Sequence, residues 1–427
     1  MASHYAPYGE HHKIKKLVHK SLTPSTAPIV PVNSEKKQGK SVLLVIDVQN
    51  DFLPGGSLPV MGHKQDKGVR ECEMMINSIN ELILSNAFDF YVFVQDVHPS
   101  DHSSLASTHR GKAPFDVVSV TSKVTNQTRQ QVLWPDHCQI KDSSVYDGVA
   151  LSDKLVLPFD PKEWKTITNK ISAENPIVPA SSIVSSGSNN KGINTTTDAA
   201  IDDDASEARK SLMNELLKKS YIMWKGVEKD TEPYSSFKNF DGDETGLRRF
   251  LTSKGVKDVY VCGLARDLCV WWSCADGTTY EYIDVDGSTK KEFSINCVLD
   301  ASIPVPGSIK LPDYDPEGSS PHQEVVKRLT PESVHGDVEK NNVEGNSWVK
   351  AFLEPYGIKA VSWVDTIDDL SSRTQSASNS KVADEQIVQK GGSIFVKGKV
   401  AKKSNKQNRP HVVMSNGADL DFLRALK

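Results

Sequence analysis

The chain has 427 residues, enough for two or three average domains, and a formal net charge of -4 at pH 7 that gives no indication of nucleic-acid binding. Its hydrophobic fraction of 37% lies below the usual value of roughly 45–50%, so we expect one packed core together with poorly packed polar sequence. No apolar stretch approaches the length of a membrane span, and the N-terminus lacks the apolar run of a signal peptide. We therefore expect a cytoplasmic protein whose six cysteines are free thiols.

The first elements alternate between strand and helix. Residues 1–40 are rich in His, Lys, Pro and Ser and predict a flexible tail. Ser41–Asp47 is a continuous apolar run, 71–85 has apolar residues at helical spacing, and 90–94 is a second apolar run. Strand, helix and strand, with polar residues at both strand ends, is typical of a parallel sheet, in which ligands bind beyond the carboxyl ends of the strands.

The middle of the chain predicts an interruption of this domain, at about 160–207. Residues 181–205 are mostly Ser, Asn, Thr and Asp, which cannot bury enough surface to offset the entropy of ordering. We expect a disordered, low-complexity insertion there. A helix at 208–219 and a strand at 221–225 resume the domain.

The second half predicts the rest of the sheet. In chain order we expect a helix at 245–254, a strand at 259–262, a helix whose first turn contains Cys269, a polar hairpin near 284–291, a strand at 294–300, and a last helix and strand within 344–363. The predicted fold class is α/β, a doubly wound, mostly parallel sheet with helices on both faces, over residues 41–366. Residues 367–427 predict a polar, basic tail, for which a solvated segment is favoured over a localisation signal or a contact with an anionic surface.

Three polar residues fall at or just beyond predicted strand ends: Asp47, Lys225 and Cys269. Backbone N–H groups at a helix start carry partial positive charge, which favours a thiolate over a thiol. In a charge relay, Asp47 would accept the thiol proton, Lys225 would lower both pKa values, and Cys269 would attack. Each residue also has an ordinary structural alternative, namely a capping carboxylate, a lysine at a strand edge and a buried, inert cysteine.

A second group of residues indicates a metal site. Asp96 and His98 are two positions apart at a strand end, so their side chains point to the same side, and His137 lies in a turn-like context. One carboxylate and two imidazoles suit one divalent ion, zinc as the first choice and iron or manganese as alternatives. His102 is a candidate fourth ligand or a neighbour. The alternative is an incidental D-x-H on the surface.

Five stretches of the sequence, read in order, resemble the nicotinamidase branch of the isochorismatase-like cysteine hydrolases. They are L-V-I-D-V-Q-N-D-F, Q-D-V-H-P-S-D-H-S-S, L-W-P-D-H-C, W-K-G with a following Y-S-S-F, and G-L-A-R-D-L-C-V. The resemblance covers roughly 41–158 and 208–302, with a weaker continuation to about 366. It implies a doubly wound α/β sheet and hydrolysis of nicotinamide to nicotinate and ammonia in NAD salvage, through a cysteine thioester.

The resemblance also implies catalytic roles. Cys269 is similar to the nucleophile of the family, Asp47 to its general base and Lys225 to its third catalytic member. Leu264-Ala265 matches the place of a cis peptide, and the N–H groups of Ala265 and Cys269 would form the oxyanion hole.

Binding roles follow from the same resemblance. Asp96, His98 and His137 match the metal ligands, and His102 matches a position that binds metal in some relatives. The positions that match the walls of the pyridine pocket are Phe52, Trp134, Tyr234, Leu264 and Ala265.

The expected partner is the small molecule nicotinamide, with no nucleic acid and no membrane, while self-association and a second, nuclear location stay open. One alternative function is another amidase of the same superfamily, whose members generally lack the metal group. The other is a catalytically inactive relative that acts as a binding or scaffold protein, which an ammonia assay separates from the enzyme. Val97, Trp271 and Trp272 depart from the family pattern, and the sequence gives the tryptophan pair no role beyond packing.

Overall fold

The centre of the fold is a mostly parallel sheet. The computed structural model describes residues 39–61, 66–121, 126, 128–140, 147–168, 170–171, 176–183, 203–305 and 352–373. Their strands are β1 (Lys40–Ile46), β2 (Phe90–Asp96), β3 (Val117–Thr121), β4 (Thr128–Val132), β5 (Ile177–Pro179), β6 (Ser220–Lys225), β7 (Val256–Leu264), β8 (Glu281–Ile283), β9 (Thr289–Lys291), β10 (Ser294–Ile303) and β11 (Lys359–Val361). Seven of these form the sheet in the order β11-β10-β7-β1-β2-β6-β5, while β3–β4 and β8–β9 are separate hairpins.

Helices cover both faces of the sheet. They are α1 (Asp66–Leu84), α2 (Asp203–Lys219), α3 (Leu247–Lys254), α4 (Trp271–Gly277) and α5 (363–373). The pleat of β1 sends Leu43 and Val45 into a core with α1 and α2, and Leu44 and Ile46 into a second core with α3 and α4. A strand buried on both sides must be apolar throughout, which is why the run at 41–47 predicts it.

The predicted fold class is confirmed. Every pairing within the sheet is parallel except that of β5 with β6, which is antiparallel. The predicted strands and helices of the core are present, with ends that differ by a few residues, and the hairpin near 284–291 is β8–β9. None of the described helices combines the length and the apolar composition that crossing a membrane requires.

The expected insertion at about 160–207 is wrong in its described parts. A 3-10 helix, Pro161–Ile167, buries Trp164, and the edge strand β5 buries Val178 against the sheet. The helix α2 also begins at Asp203, five residues before the predicted start. Short, irregular elements give no periodic pattern of apolar residues, so the polar composition of the region did not indicate that these two elements were present. Residues 184–202 lie outside the described part of the chain.

The C-terminal boundary also differs from the prediction. The expected helix at 344–356 falls mostly outside the described residues, and its end is a short 3-10 turn, Glu354–Tyr356. The helix α5 runs through 367, where the tail was expected to start. Its Leu370 is buried in the core, and Arg373 pairs with Asp258 of β7 at 2.8 Å. The tails at 1–38 and 374–427 lie outside the described residues.

Candidate active site

Four neighbouring strands end at one edge of the sheet and bring the predicted residues together. The order β7-β1-β2-β6 places the ends of these strands side by side. Asp47 directly follows β1, Asp96 ends β2, Lys225 ends β6, and Cys269 lies five residues after the end of β7. This is the edge at which parallel α/β sheets bind ligands.

The Lys225 ammonium lies at the centre of the predicted catalytic group. Its Nζ is 3.0 Å from Asp47 Oδ2, 3.1 Å from Asp96 Oδ1 and 3.7 Å from Cys269 Sγ. All four side chains are buried. One buried cation therefore compensates two buried carboxylates and contacts the thiol, which links the predicted catalytic and metal groups.

The pKa of Cys269 differs from the sequence-based expectation. Burial raises the pKa of the thiol well above its usual value, the Lys225 charge lowers it, and the charges of Asp47 and Asp96 raise it again. Burial also raises the pKa of Asp47 to about 6, against the lowering effect of Lys225. The Lys225 charge lowers both pKa values, as predicted, but burial raises them by more, so the net shift of each is upward. An upward shift favours the neutral thiol, so a neighbouring base such as Asp47 is needed to accept its proton.

Cys269 lies in a π-helical turn, Arg266–Val270, which we call the nucleophile turn. It precedes α4 and is not the first turn of a regular α-helix as predicted, because Leu268 has non-helical angles of φ -117° and ψ -105°. The preceding Leu264–Ala265 peptide bond is cis, as the resemblance implies. Gly263 has a φ of 110°, and a Cβ there would lie 2.1 Å from the Ile46 carbonyl oxygen, so the close approach to β1 requires glycine.

Asp96, His98 and His137 form a group that can hold a metal ion. Asp96 Oδ2 lies 3.1 Å from His98 Nε2 and 3.6 Å from His137 Nε2. The other ring nitrogens contact main-chain carbonyl oxygens. His98 Nδ1 lies 3.0 Å from the Gly226 carbonyl oxygen, and His137 Nδ1 lies 2.7 Å from the Pro135 carbonyl oxygen. When both Nδ1 atoms donate, each Nε2 keeps a lone pair for a metal, the usual arrangement behind histidine ligands.

The donor set of this group fits a divalent ion. His98 Nε2 and Asp96 Oδ1 are buried and have no hydrogen-bond partner in the described structure, although each lies about 3.1 Å from an opposite charge, Asp96 Oδ2 and Lys225 Nζ respectively. Burial lowers the pKa of His98, but Asp96 raises it more, to about 9. A metal ion would replace the proton between these two groups. Gly226 makes room for them, since a Cβ there would lie 2.6 Å from the His98 ring.

His102 lies beside this group but is engaged elsewhere. Its ring centroid is 4.1 Å from that of His98, while Nδ1 is 2.7 Å from Ser104 Oγ and Nε2 is 3.2 Å from the Thr231 carbonyl oxygen. Burial and the His98 charge lower the pKa of His102 to about 4. Both nitrogens have protein partners, which favours the interpretation of His102 as a neighbour of the metal group.

The site opens into a cavity with mostly apolar walls. The five predicted pocket residues, Phe52, Trp134, Tyr234, Leu264 and Ala265, all line it, together with Asp47, Asp96, His137 and Cys269. Trp134 Nε1 donates to the Tyr234 hydroxyl at 2.9 Å, which fixes two of the aromatic walls relative to each other. The described structure thus joins the predicted nucleophile, metal group and pocket in one cavity.

Seven residues that line this cavity were not predicted from the sequence, among them Glu232 and Phe115. Glu232 is buried, and its Oε2 has no hydrogen-bond partner in the described structure although it lies 3.9 Å from His102 Nδ1. Phe115 packs edge-on against Trp134, with ring centroids 6.0 Å apart. Both stand on loops, where neither periodicity nor a strand end marks a residue. Glu232 lies two residues before the Y-S-S-F stretch at 234–237, and this stretch was the only sequence feature that indicated a functional role for the segment.

Comparisons with known proteins agree with the resemblance drawn from the motifs. The nicotinamidase of Acinetobacter baylyi is 29% identical over 244 residues, which is 57% of this chain and 77% of that protein. The Saccharomyces cerevisiae nicotinamidase is 34% identical over 128 residues, 26% of this chain and 55% of that protein. A solved Acinetobacter baumanii nicotinamidase aligns over 78% of this chain and all of its own, with 22% identity and a TM-score of 0.44. No protein-family model matches the chain. The curated similarities confirm the resemblance to nicotinamidases.

Proposed function

We propose that this protein is a nicotinamidase, which hydrolyses the amide bond of nicotinamide to give nicotinate and ammonia in NAD salvage. The names of curated relatives from several species support this activity, and they do not favour another amidase or an inactive scaffold. The observation that carries the proposal is the single cavity in which a cysteine, a buried base and a metal-binding group meet aromatic walls.

In the first half of the proposed reaction, Asp47 takes the proton of the Cys269 thiol while Sγ attacks the carboxamide carbon. An Asp47 pKa of about 6 leaves this carboxyl ionised at neutral pH, although it stands in a buried site. The N–H groups of Ala265 and Cys269 would hold the negative charge that develops on the carbonyl oxygen. Asp47 then returns the proton to the departing ammonia, which leaves an acyl thioester on Cys269.

In the second half, Asp47 accepts a proton from water as the water attacks the thioester carbon. The C–S bond breaks and Asp47 returns its proton to the Cys269 sulfur, while nicotinic acid leaves and loses its own carboxyl proton to solvent to give nicotinate. Lys225 stays charged throughout, because burial lowers its pKa but the charges of Asp47 and Asp96 raise it further, to well above the usual value. Its fixed charge stabilises Asp47 in the ionised state on which both halves depend.

We propose zinc as the ion that Asp96, His98 and His137 hold. When bound, the ion would supply a Lewis acid for the pyridine nitrogen of the substrate. The aromatic rings of Phe52, Trp134 and Tyr234 would pack the flat ring of the substrate and exclude water from it. A cytoplasmic or nuclear location and self-association stay predictions from the sequence.

The test is an ammonia assay on purified, metal-loaded protein with nicotinamide. We expect equal amounts of ammonia and nicotinate, and no product from the Cys269→Ala variant. Wild-type protein that releases no ammonia would contradict the proposed activity. Full ammonia release by Cys269→Ala would instead contradict the cysteine mechanism.

A further inference from the structure

The strand β10 leaves its regular pairing close to the nucleophile turn. It pairs with β7 up to Cys297, opposite Val261, and again from Ser302, opposite Gly263. Four residues of β10, 298–301, therefore face a single residue of β7. A bulge of this kind takes main-chain carbonyls out of the ladder, and buried carbonyls need other donors.

The side chain of Arg266 supplies those donors. The residue is only 3% exposed, and its Nε donates to Ser302 Oγ at 3.0 Å. Its Nη2 donates to the Leu299 carbonyl oxygen at 2.6 Å and also to the Ser302 carbonyl oxygen. Hydrogen bonds from a charged donor are stronger than neutral ones, and an arginine at this depth would be costly without them.

The next residue makes a second link to the same region. The Asp267 carboxylate accepts a hydrogen bond from the Val305 amide at 2.9 Å, just beyond β10. Within the turn, the Ala265 carbonyl accepts from the amides of Leu268 and Val270, at 3.0 and 3.1 Å. The nucleophile turn is thus closed on itself, and its first two side chains fasten it to the end of β10.

We propose that Arg266 is a positioning residue for the nucleophile turn. Its guanidinium fixes the turn to the β10 bulge and thereby holds the amides of Ala265 and Cys269 in the geometry that the oxyanion requires. Arg266 directly follows the first of these residues and precedes the second by three positions. The inference rests on the proposed function, because the oxyanion forms only when Cys269 attacks an amide.

This role predicts a specific kinetic signature. Oxyanion donors act on charge that develops in the transition state, so a loosened turn lowers kcat and leaves the binding of nicotinamide unchanged. A residue that only stabilised the fold would lower the melting temperature and the active fraction, without changing the kinetics of the molecules that remain folded.

The experiment compares Arg266→Met, Arg266→Lys and Ser302→Ala in the full-length, metal-loaded protein. For Arg266→Met we expect kcat to fall by about 10- to 100-fold at an unchanged KM, less than the loss of an oxyanion donor itself. Arg266→Lys should recover part of this loss, because it keeps the charge without the planar fork. Ser302→Ala removes the acceptor of Nε together with the hydrogen bonds from Ser302 Oγ to the Val298 and Leu299 carbonyl oxygens, but it keeps both bonds of Nη2, and it should cost a few-fold.

A second readout uses nicotinaldehyde, the aldehyde analogue of the substrate. The Cys269 S–H adds across the aldehyde C=O, so that sulfur bonds to carbon and the proton goes to oxygen, and no oxidant is needed. The oxygen of this adduct occupies the oxyanion position. Its affinity should fall by the same factor as kcat/KM, while the affinity for nicotinate stays unchanged. Arg248→Met is the matched control. Arg248 is a half-buried arginine of α3 that pairs with Glu292 at 2.8 Å.

The outcomes separate the two proposals. If wild-type protein is active and both Arg266→Met and Ser302→Ala keep its kcat and its aldehyde affinity, the positioning role is wrong. If Arg266→Met does not fold, Arg266→Lys and Ser302→Ala decide by the same criterion. Wild-type protein that releases no ammonia overturns the proposed function, and this inference with it.

Discussion

The Asp47 carboxyl has to be ionised to act as a base, and it stands in a buried place that opposes ionisation. Burial raises its pKa to about 6, although Lys225 lies 3.0 Å away. We expect kcat/KM for nicotinamide to be constant above pH 7 and to fall about tenfold per pH unit below 6, because only the ionised form accepts the thiol proton. The measurement is a pH profile of kcat/KM.

The control for this profile is the metal content, because protons compete with metal ions for imidazole ligands at low pH. Bound metal should be measured at each pH, and the profile read only where occupancy is constant. Asp47→Asn should lower kcat by about 100-fold or more at every pH, in line with the loss of a general base. A profile that is flat between pH 5 and 7.5 at full occupancy would contradict the role of Asp47.

His137 and His102 allow a matched test of the metal group. His137 Nδ1 contacts a carbonyl and its Nε2 faces Asp96, whereas both nitrogens of His102 have protein partners. We expect His137→Ala to weaken metal binding by at least about 10-fold and His102→Gln to retain the ion. Elemental analysis after dialysis against a weak chelator measures this directly. Metal loss in His102→Gln alone would move the site to the His98, His102 and Glu232 group.

At the scale of elements, the structure gives the Trp271–Trp272 pair a place in a chain of aromatic rings. From the pocket wall, Tyr234 contacts Phe240 with ring centroids 5.0 Å apart, and Phe240 contacts Trp272 at 5.9 Å. Trp272 contacts Trp271 at 5.1 Å, and Trp271 contacts Tyr356 at 5.7 Å. The pair therefore connects the helix after the nucleophile to both the pocket wall and the C-terminal part of the domain.

Trp271 holds the segment 352–356 by two separable contacts. Its ring packs on Phe352 and Tyr356, and its Nε1 donates to the Phe352 carbonyl oxygen at 3.0 Å. We expect Trp271→Ala to lower the free energy of unfolding by about 2–4 kcal/mol and Trp271→Phe by about 1 kcal/mol, since the second variant loses only the hydrogen bond. Urea unfolding measures both. Equal losses in the two variants would show that the ring contacts contribute little.

The elements show how far the sequence alone could reach. Long apolar runs such as 41–47 predicted the buried parallel strands, and polar residues at their ends predicted which side chains meet, because strand ends share one edge. β5 was missed because three residues ending in Pro179 give no pattern. The direction of the Cys269 pKa was missed because burial depends on residues distant in the chain.

At the scale of the whole molecule, the domain extends past the end expected from composition. The Trp363 amide at the start of α5 donates to the Asp300 carboxylate of β10 at 2.9 Å, and Tyr260 of β7 donates to Asp369 at 3.5 Å. α5 therefore packs on the strands that carry the nucleophile turn and the β10 bulge. A polar helix with a single buried face has the composition of a tail, so overall polarity did not distinguish the two.

The region between β5 and β6 gives the last prediction. The turn Ala180–Ser182, which precedes 184–202, packs against α2, which follows them. Replacing 184–202 with a Gly-Ser linker of the same length should leave nicotinamide turnover within about twofold, because these residues are mostly Ser, Asn, Thr and Asp and their composition predicts no contribution to the core. The measurements are soluble yield and kcat/KM.

The matched control replaces 176–202, which also removes β5. Ile177 and Val178 are buried, and β5 pairs with Tyr221, Ile222 and Met223 of β6, the strand that ends at Lys225. Losing this edge should expose β6 and lower soluble yield, because an uncovered apolar edge strand promotes aggregation. If the two deletions behave alike and both remain active, β5 is dispensable. If both are insoluble, residues 184–202 contribute to folding, contrary to what their composition predicts.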